Sequence, residues 1–338
     1  MTEPAVSVLL PFRNAAPTID QALCSIANQT LSSLEVIAVD DHSGDGSADI
    51  VKEWVSRDAR FRYHTSPARG LVPALNAGLD HASAPVVARM DADDVMRPER
   101  LTRQLDYLRE HPDITLVGSA THLFPEESIS DGFRLYVDWQ NRCNDPDRIA
   151  DEIYIESPFA HPTVMFRREA VRGVEGYREG AFPEDYELWL RLHRNGHRMA
   201  KIPDILLDWR DDPARTSRTD SRYSREAFDR LRARYLATDA RLCSRADNFV
   251  IWGAGRITRK RCRHLLERGF TPRAWIDIDP RKIGNKLNGV PVVSPGWLER
   301  EPQPFVLVYV ASHGAREIIG DELEQRGYQR GDDYLMIG

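Results

Sequence analysis

Cysteine is scarce. The chain has four, at positions 24, 143, 243 and 262 of 338. Their spacing makes no zinc clip, and a chain of this size does not lean on a disulfide framework, so reduced thiols are expected. Long apolar runs are missing too: none approaches the roughly 18 residues of a membrane span. Met1-Thr2-Glu3-Pro4 has no basic segment leading into an apolar one, so it does not read as a signal peptide, and a cytoplasmic location is expected. There is no excess of positive charge. Lys plus Arg is 46 and Asp plus Glu is 52, a net of −6, which argues against a nucleic-acid partner. Internal repeats and low-complexity tracts are absent. What remains is a globular composition, and at about 150 residues per domain the length suggests two domains.

The first part of the chain alternates between strand and helix patterns. Residues 5–10 make a short apolar run that suits a buried strand. Ile19, Ala22, Leu23, Ile26 and Ala27 keep the spacing of an amphipathic helix. Residues 34–39 read as a strand, and Ile50, Val51, Trp54 and Val55 mark a second helical face. A strand over 61–65, a helix over 71–79 and a strand over 85–90 follow. Such alternation predicts a mostly parallel sheet covered on both faces. Pro98 opens a helix over 98–110, and 114–118 reads as a strand. Periodicity over 119–160 is weak and assigns no elements. Residues 184–195 are helical, ending near Gly196, and Tyr223, Ala227, Leu231 and Tyr235 share one helix face. The polar stretch 240–247 marks a boundary, giving domains over 1–240 and 246–338. The second carries strands at 249–252, 274–277, 290–293 and 305–310 and a helix at 315–325.

Ligands of open parallel sheets bind beyond the carboxyl ends of the strands. Acids stand at two such ends. After residues 34–39 come Asp40-Asp41-His42-Ser43-Gly44-Asp45, where two acids before a glycine turn could hold a ribose or base. The plainer reading, a turn that caps the next helix, accounts for Asp45 and Ser47. After residues 85–90 come Asp91-Ala92-Asp93-Asp94. In an extended segment positions i and i+2 point to one side, so Asp91 and Asp93 can converge on a hard cation such as Mg²⁺ or Mn²⁺. The plainer reading is an acidic loop before a helix N-terminus. A third site, Glu184-Asp185-Tyr186-Glu187-Leu188-Trp189, opens a helix, where Glu184 or Asp185 could serve as a general base and Glu187 compensates the dipole.

Several motifs, in order over residues 5–237, resemble the inverting family 2 glycosyltransferases of GT-A fold. They are Val6-Ser7-Val8-Leu9-Leu10-Pro11-Phe12-Arg13-Asn14, Gln29-Thr30-Leu31 with the strand leading to Asp40-Asp41, and Ala74-Leu75-Asn76-Ala77-Gly78-Leu79. Asp91-Ala92-Asp93-Asp94 with Pro98-Glu99-Arg100-Leu101, His161-Pro162-Thr163 and the Glu184–Trp189 segment complete them. The resemblance implies a nucleotide-diphospho-sugar transferase fold that moves a hexose with inversion, in cell-surface polysaccharide or glycoconjugate synthesis. By it, Asp185 is the base with Glu184 beside it, and Asp93 is the direct metal ligand with Asp91. Pro11, Arg13, Asp40, Asp41, Arg69, Asp91, Arg210, Arg215 and Arg218 serve the donor, and His161 and Trp189 lie on the acceptor side. It implies Mn²⁺ or Mg²⁺, a nucleotide-sugar donor with UDP favoured, and a saccharide or lipid-linked acceptor, which allows peripheral contact with the inner membrane face. Two positions depart from the family pattern: Arg13 stands where an aromatic is frequent, and Asp212 where His is frequent.

Phe249-Val250-Ile251-Trp252-Gly253-Ala254-Gly255 runs from a strand into a glycine turn and resembles the opening of a small Rossmann-like α/β domain. Asp277 follows Gly255 by 22 residues, near the spacing of a ribose-binding acid. Thr258 takes the place of the third glycine, so NAD is not expected, and docking or oligomerisation is the preferred role over cofactor binding. Ala311-Ser312-His313-Gly314 would line the same crevice. Two other functions compete. A sugar nucleotidyltransferase would show a Gly-rich, Arg-containing loop after its first strand, where this chain has Pro11-Phe12-Arg13-Asn14. A non-catalytic saccharide- or nucleotide-binding protein would not need the acids at 91, 93 and 185.

Overall fold

The computed structural model describes residues 3–212, 215–300, 302–310, 312 and 314–338. The chain divides into two compact units, Met1–Ile149 with Pro158–Gly180 and Glu184–Asp220, and Ala150–Ser157 with Ala181–Pro183 and Ser221–Gly338.

The first unit is built on eight strands: β1 (Val6–Phe12), β2 (Leu34–Asp40), β3 (Phe61–Thr65), β4 (Val86–Arg89), β5 (Val95–Met96), β6 (Ile114–Phe124), β7 (Met165–Arg167) and β8 (Arg198–Arg210). They form one mixed sheet in the order β3-β2-β1-β4-β7-β6-β8-β5. The block β3-β2-β1-β4 is parallel throughout, which brings four carboxyl ends to one edge. Every residue of β1 and β2 is buried, as both-face coverage by helices requires. Helices α1 (Ile19–Ala27), α2 (Ser47–Arg57), α3 (Leu71–His81) and α4 (Arg100–Glu110) supply that cover. The apolar stripe foreseen for α1 is its buried face: Ile19, Ala22, Leu23 and Ile26.

The stretch 119–160 contains the end of β6, α5 (Asp131–Arg142) and α6 (Pro146–Glu152). Helix α5 opens with Ser130, whose side chain accepts from Phe133 N. Short α7 (Arg168–Gly173) follows β7, and α8 (Glu184–Arg194) precedes β8. Of thirteen residues in β8 several buried ones run consecutively, so no period-two signal marks it. One turn, α9 (Thr216–Thr219), closes the unit.

The second unit carries α10 (Arg225–Leu236), α11 (Ala240–Cys243), β9 (Phe249–Trp252), α12 (Arg256–Leu266), β10 (Trp275–Ile276), β11 (Lys286–Leu287), β12 (Val290–Val293), β13 (Phe305–Val308), α13 (Ala315–Gln325) and β14 (Tyr334–Met336). Its sheet order is β11-β12-β10-β9-β13-β14, parallel except at β11, the arrangement of a small Rossmann-like domain. The division between units falls at Asp220 and Ser221, whereas the sequence puts a boundary at 240–247. Helix α10 packs on α12, and residues 150–157 join the same unit. There Glu152 pairs with Arg330 at 2.7 Å, Tyr154 Oη donates to Asp239 at 3.0 Å, and Gly338 N donates to Tyr154 O at 2.9 Å. Among the described residues no helix is long and apolar enough to cross a membrane.

Candidate active site

Turns after β1, β2 and β3 interlock at the shared edge. Asn14 (φ 49°) and His42 (φ 56°) occupy the left-handed region, which side-chain-bearing residues adopt only when the surroundings hold them there. The hold is visible: Asn14 N donates to Ser43 Oγ at 3.0 Å and Gly44 N to Asn14 Oδ1 at 2.9 Å. Asp41 is buried, accepts from Gly70 N at 2.7 Å, and keeps Oδ2 3.7 Å from the exposed Arg13. Arg69, next to Gly70, is exposed, and Pro11 is buried within β1. Asp40 is different. Its Oδ1 accepts from Ser43 N at 2.8 Å and its Oδ2 from Tyr63 Oη at 3.0 Å. Expected beside Asp41 on the nucleoside, Asp40 instead spends both oxygens on shaping the turn. Asp45 and Ser47 do the same by hydrogen bonding to one another and to Ala16 N and Ala15 N.

Just past β4, Asp91, Asp93 and Asp94 each offer an oxygen, and these lie within 4.8 Å of one another. Burial, then repulsion from Asp91, raises the Asp93 carboxyl to about 6. Asp94, 1% exposed, is raised well above its usual value by burial and by both neighbours. Its Oδ1 accepts from Arg210 N at 2.8 Å, and its buried Oδ2 has no hydrogen-bond partner. Three converging hard oxygens with an orphaned buried one fit a Mg²⁺- or Mn²⁺-type cation. The sequence alone puts only Asp91 and Asp93 among the candidate ligands; the fold brings an oxygen of Asp94 into the same cluster.

Beneath the cluster lies Arg89, which sequence reasoning missed. It is 2% exposed, ion-pairs with Asp91, and leaves Nε without a partner. Burial opposes its charge, but Asp91 together with Tyr177 and Asp94 outweighs this and raises its pKa. A charged residue inside the apolar run 85–90 was the available signal. Its carbonyl accepts from the fully buried Arg100 at 2.9 Å, and Arg100 is pinned to Gln104 at 3.0 Å. Arg100 thereby fixes the exit of β4 from α4.

Arg89 also acts electrostatically on Asp185, His161 and Tyr177, so its charge serves both sets of acids. Asp185 is half-buried in the first turn of α8, where its Oδ1 accepts from Tyr186 N at 2.6 Å. Burial, then the neighbouring Glu184, pushes its carboxyl up to about 7. Glu184 is only 2% exposed and sits 3.8 Å from His161 Nδ1. His161 is buried, which drives its pKa well down and keeps it neutral, and its Nε2 lies 3.1 Å from Tyr177 Oη. Asn76 on α3 grips the Tyr177 backbone through two 2.9 Å hydrogen bonds, which explains the asparagine of the 74–79 motif. Glu187, read as a dipole partner, is a fully buried ion pair with Arg191 at 2.8 Å. Trp189 is 0% exposed and packs edge-on against Phe159 and His161. Expected on the acceptor side, Trp189 is core beneath His161.

The arginines after β8 part company. Arg210 Nε donates to Asp93 O at 2.7 Å, its Nη2 to Gln21 at 2.8 Å, and its Cζ lies over the Phe124 ring, 4.4 Å from the centroid. It braces the cluster, so its guanidinium is not a free phosphate clamp. Arg215 and Arg218 converge on Asp211, whose side chain is fully buried, at 3.5 and 2.8 Å, and both lie over Phe133. Arg215 also acts to lower the Asp93 pKa. Pro213 and Ala214 of this loop lie outside the described residues.

In the second unit Asp277 accepts from Ala254 N and Asp279 N at 2.9 Å and from Lys282 at 3.0 Å. Its carboxylate ties its own turn, where the spacing suggests a ribose partner. Gly253 (φ 112°) is closed over by Thr258: a Cβ there would meet Thr258 Oγ1 at 2.7 Å. Ala311 and His313 lie outside the described residues.

A parallel-sheet edge with a carboxylate cluster, a separate near-neutral acid and an arginine pair defines a GT-A glycosyltransferase fold. The pattern of glycosyl transferase family 2 matches residues 7–174. Among relatives, the amylovoran biosynthesis glycosyltransferase AmsE of Erwinia amylovora is 33% identical over 60% of this chain and 74% of its own length. The UDP-Gal:alpha-D-GlcNAc-diphosphoundecaprenol beta-1,3-galactosyltransferase of Escherichia coli is 29% identical over 61% of this chain and 74% of its own. The chain therefore belongs to glycosyl transferase family 2. Among solved structures, S. aureus TarS in complex with UDP superposes with a TM-score of 0.54 at 18% identity, over 70% of this chain and 66% of that one. The mannosyltransferase PcManGT of Pyrobaculum calidifontis, in complex with GDP-Man and Mn²⁺, gives 0.51 at 22% identity, over 70% and 63%. The chain thus spans just under two thirds of these two structures.

Proposed function

We propose that this glycosyltransferase moves a hexose from a nucleoside diphosphate sugar to an acceptor hydroxyl in a single displacement that inverts the anomeric carbon. The observation that carries the reading is the pairing, across the buried Arg89, of the Asp91-Asp93-Asp94 cluster with a half-buried Asp185 that titrates near neutrality. Asp93, Asp91 and Asp94 would hold Mn²⁺ or Mg²⁺, which when bound supplies positive charge against a diphosphate leaving group. Arg215 and Arg218, pre-aligned by Asp211, present guanidinium groups to phosphate oxygens. Asp41 and the exposed Arg13 and Arg69 receive the nucleoside end. Asp185 takes the acceptor proton as the hydroxyl attacks, and a pKa near the working pH suits that task. Neutral His161 leaves the charge balance around this base unchanged. Glu184, enclosed beside His161, holds the base's pKa up and is not the proton acceptor.

A UDP-sugar donor and a saccharide or lipid-linked acceptor are supported by the name of the E. coli relative, and Mn²⁺ by its presence beside GDP-Man in the P. calidifontis mannosyltransferase complex. The names of two relatives, an amylovoran biosynthesis and an O-antigen biosynthesis glycosyltransferase, favour assembly of a polysaccharide or glycoconjugate. The test is product analysis with a panel of nucleotide sugars and saccharide acceptors in the presence of Mn²⁺. Transfer from one donor, with the anomeric configuration reversed by NMR, is the expected result. A retained configuration, or nucleotidyl exchange in place of transfer, contradicts it.

A further inference from the structure

In the second unit β10, β9 and β13 are adjacent and parallel, so the segments leaving them emerge at one edge. Each carries an isoleucine held out in solvent. Ile257 is in the first turn of α12 and 69% exposed, Ile278 lies two residues beyond β10 and is 73% exposed, and Ile318 is in the first turn of α13 and 68% exposed. Among the described residues only Leu135 and Ile205 are other exposed large hydrophobics, and both belong to the first unit. Apolar side chains concentrated at one edge mark a contact surface.

Charge identifies the occupant. In a chain of net charge −6, α12 carries Arg256, Arg259, Lys260, Arg261 and Arg263 and no Asp or Glu. Arg256, Arg259 and Lys260 are exposed and make no ion pair among the described residues. The nearby acids Asp277 and Asp279 are matched by Lys282 and Arg281; Glu226 of α10, which also feels Lys260, is paired with Arg263 and His264; and Glu317 is an exposed acid of α13. A second copy docking face to face would set this basic helix against itself, which is repulsive. A small nucleotide would look for the Asp277 carboxylate, which is already engaged. We propose that this edge docks on an anionic lipid surface, with the three isoleucines entering the headgroup layer and Arg256, Arg259 and Lys260 meeting lipid phosphates. The inference uses no part of the transfer reaction, so either can fail without the other.

The test is sedimentation of the full chain with phosphatidylcholine vesicles, with and without a third of phosphatidylglycerol. Binding to the anionic vesicles only, weakening with salt, is expected. At about fivefold per basic residue, Arg256→Glu with Arg259→Glu and Lys260→Glu should weaken binding by on the order of 10²-fold or more. Ile257→Ser with Ile278→Ser and Ile318→Ser should also release the protein from vesicles, with an unchanged melting temperature showing that the fold is kept. Equal binding to both vesicle types, or variants that bind as the wild type does, overturns the proposal. So does a dimer in solution that the isoleucine variant abolishes, or saturable binding of free nucleotide to this edge.

Discussion

At Asp93 and Asp94, burial and mutual repulsion hold two carboxylates above their usual pKa, and Arg89 offsets this only in part. A bound cation removes that penalty, so donor binding should depend on metal. Asp93→Asn should flatten the Mn²⁺ dependence of donor affinity measured by calorimetry, and excess chelator should abolish transfer. Full activity with verified absence of metal would remove the cluster from the reaction. Asp41, Asp91 and Asp93 stand out in the sequence as acids directly after buried strands, and Glu184 with Asp185 as acids opening a helix, of which the family resemblance singles out Asp185. Asp40, Arg210 and Trp189 could not be sorted that way. Their roles are set by Tyr63, Gln21, Phe124 and Phe159, which no local spacing ties to them.

Among the elements, the alternating half around β1 to β4 was legible because β1, β2 and β4 are fully buried runs and the helices between them show apolar stripes. Helices α8 and α10 and strands β9, β10, β12 and β13 of the second unit were legible too, whereas α5 and β8 were not. In β8 buried residues sit side by side where the strand is covered on both faces, and α5 mixes half-exposed aromatics with charge, which blurs its period. Helix α3 shows how tightly the legible part is fitted. A Cβ at Gly78 would lie 1.9 Å from Leu9 Cδ1, in the middle of β1, and 3.2 Å from Val39. Leu9 is 0% exposed, so it would have to turn within the core. Gly78→Ala should therefore cost about 1–3 kcal/mol in denaturant unfolding, the usual penalty of overpacking. A neutral or stabilising result would mean that α3 slides on the sheet more easily than this packing allows.

For the whole molecule, the expected boundary at 240 cuts inside the second unit. A chain ending at Ala240 keeps residues 150–157 and α10 but loses α12, Arg330 and Gly338, with which they are associated. It should melt at a lower temperature than the full chain and expose α10 to protease. An equal melting temperature would restore the boundary read from the polar stretch 240–247, which marks a surface turn because its composition reports solvent exposure and not the distant contacts of Tyr154 and Glu152.

The central claim, that Asp185 is the base of an inverting sugar transfer, is tested most directly by the pH dependence of kcat at saturating donor, for the wild type and Asp185→Asn. A base must be deprotonated, and burial puts this one at about 7, so wild-type kcat should fall about tenfold per pH unit below that value. Asp185→Asn should lower kcat by about 10²–10⁴-fold, lose that acid limb, and leave donor affinity nearly unchanged. A variant that turns over normally, or that keeps the same limb near pH 7, would contradict the assignment.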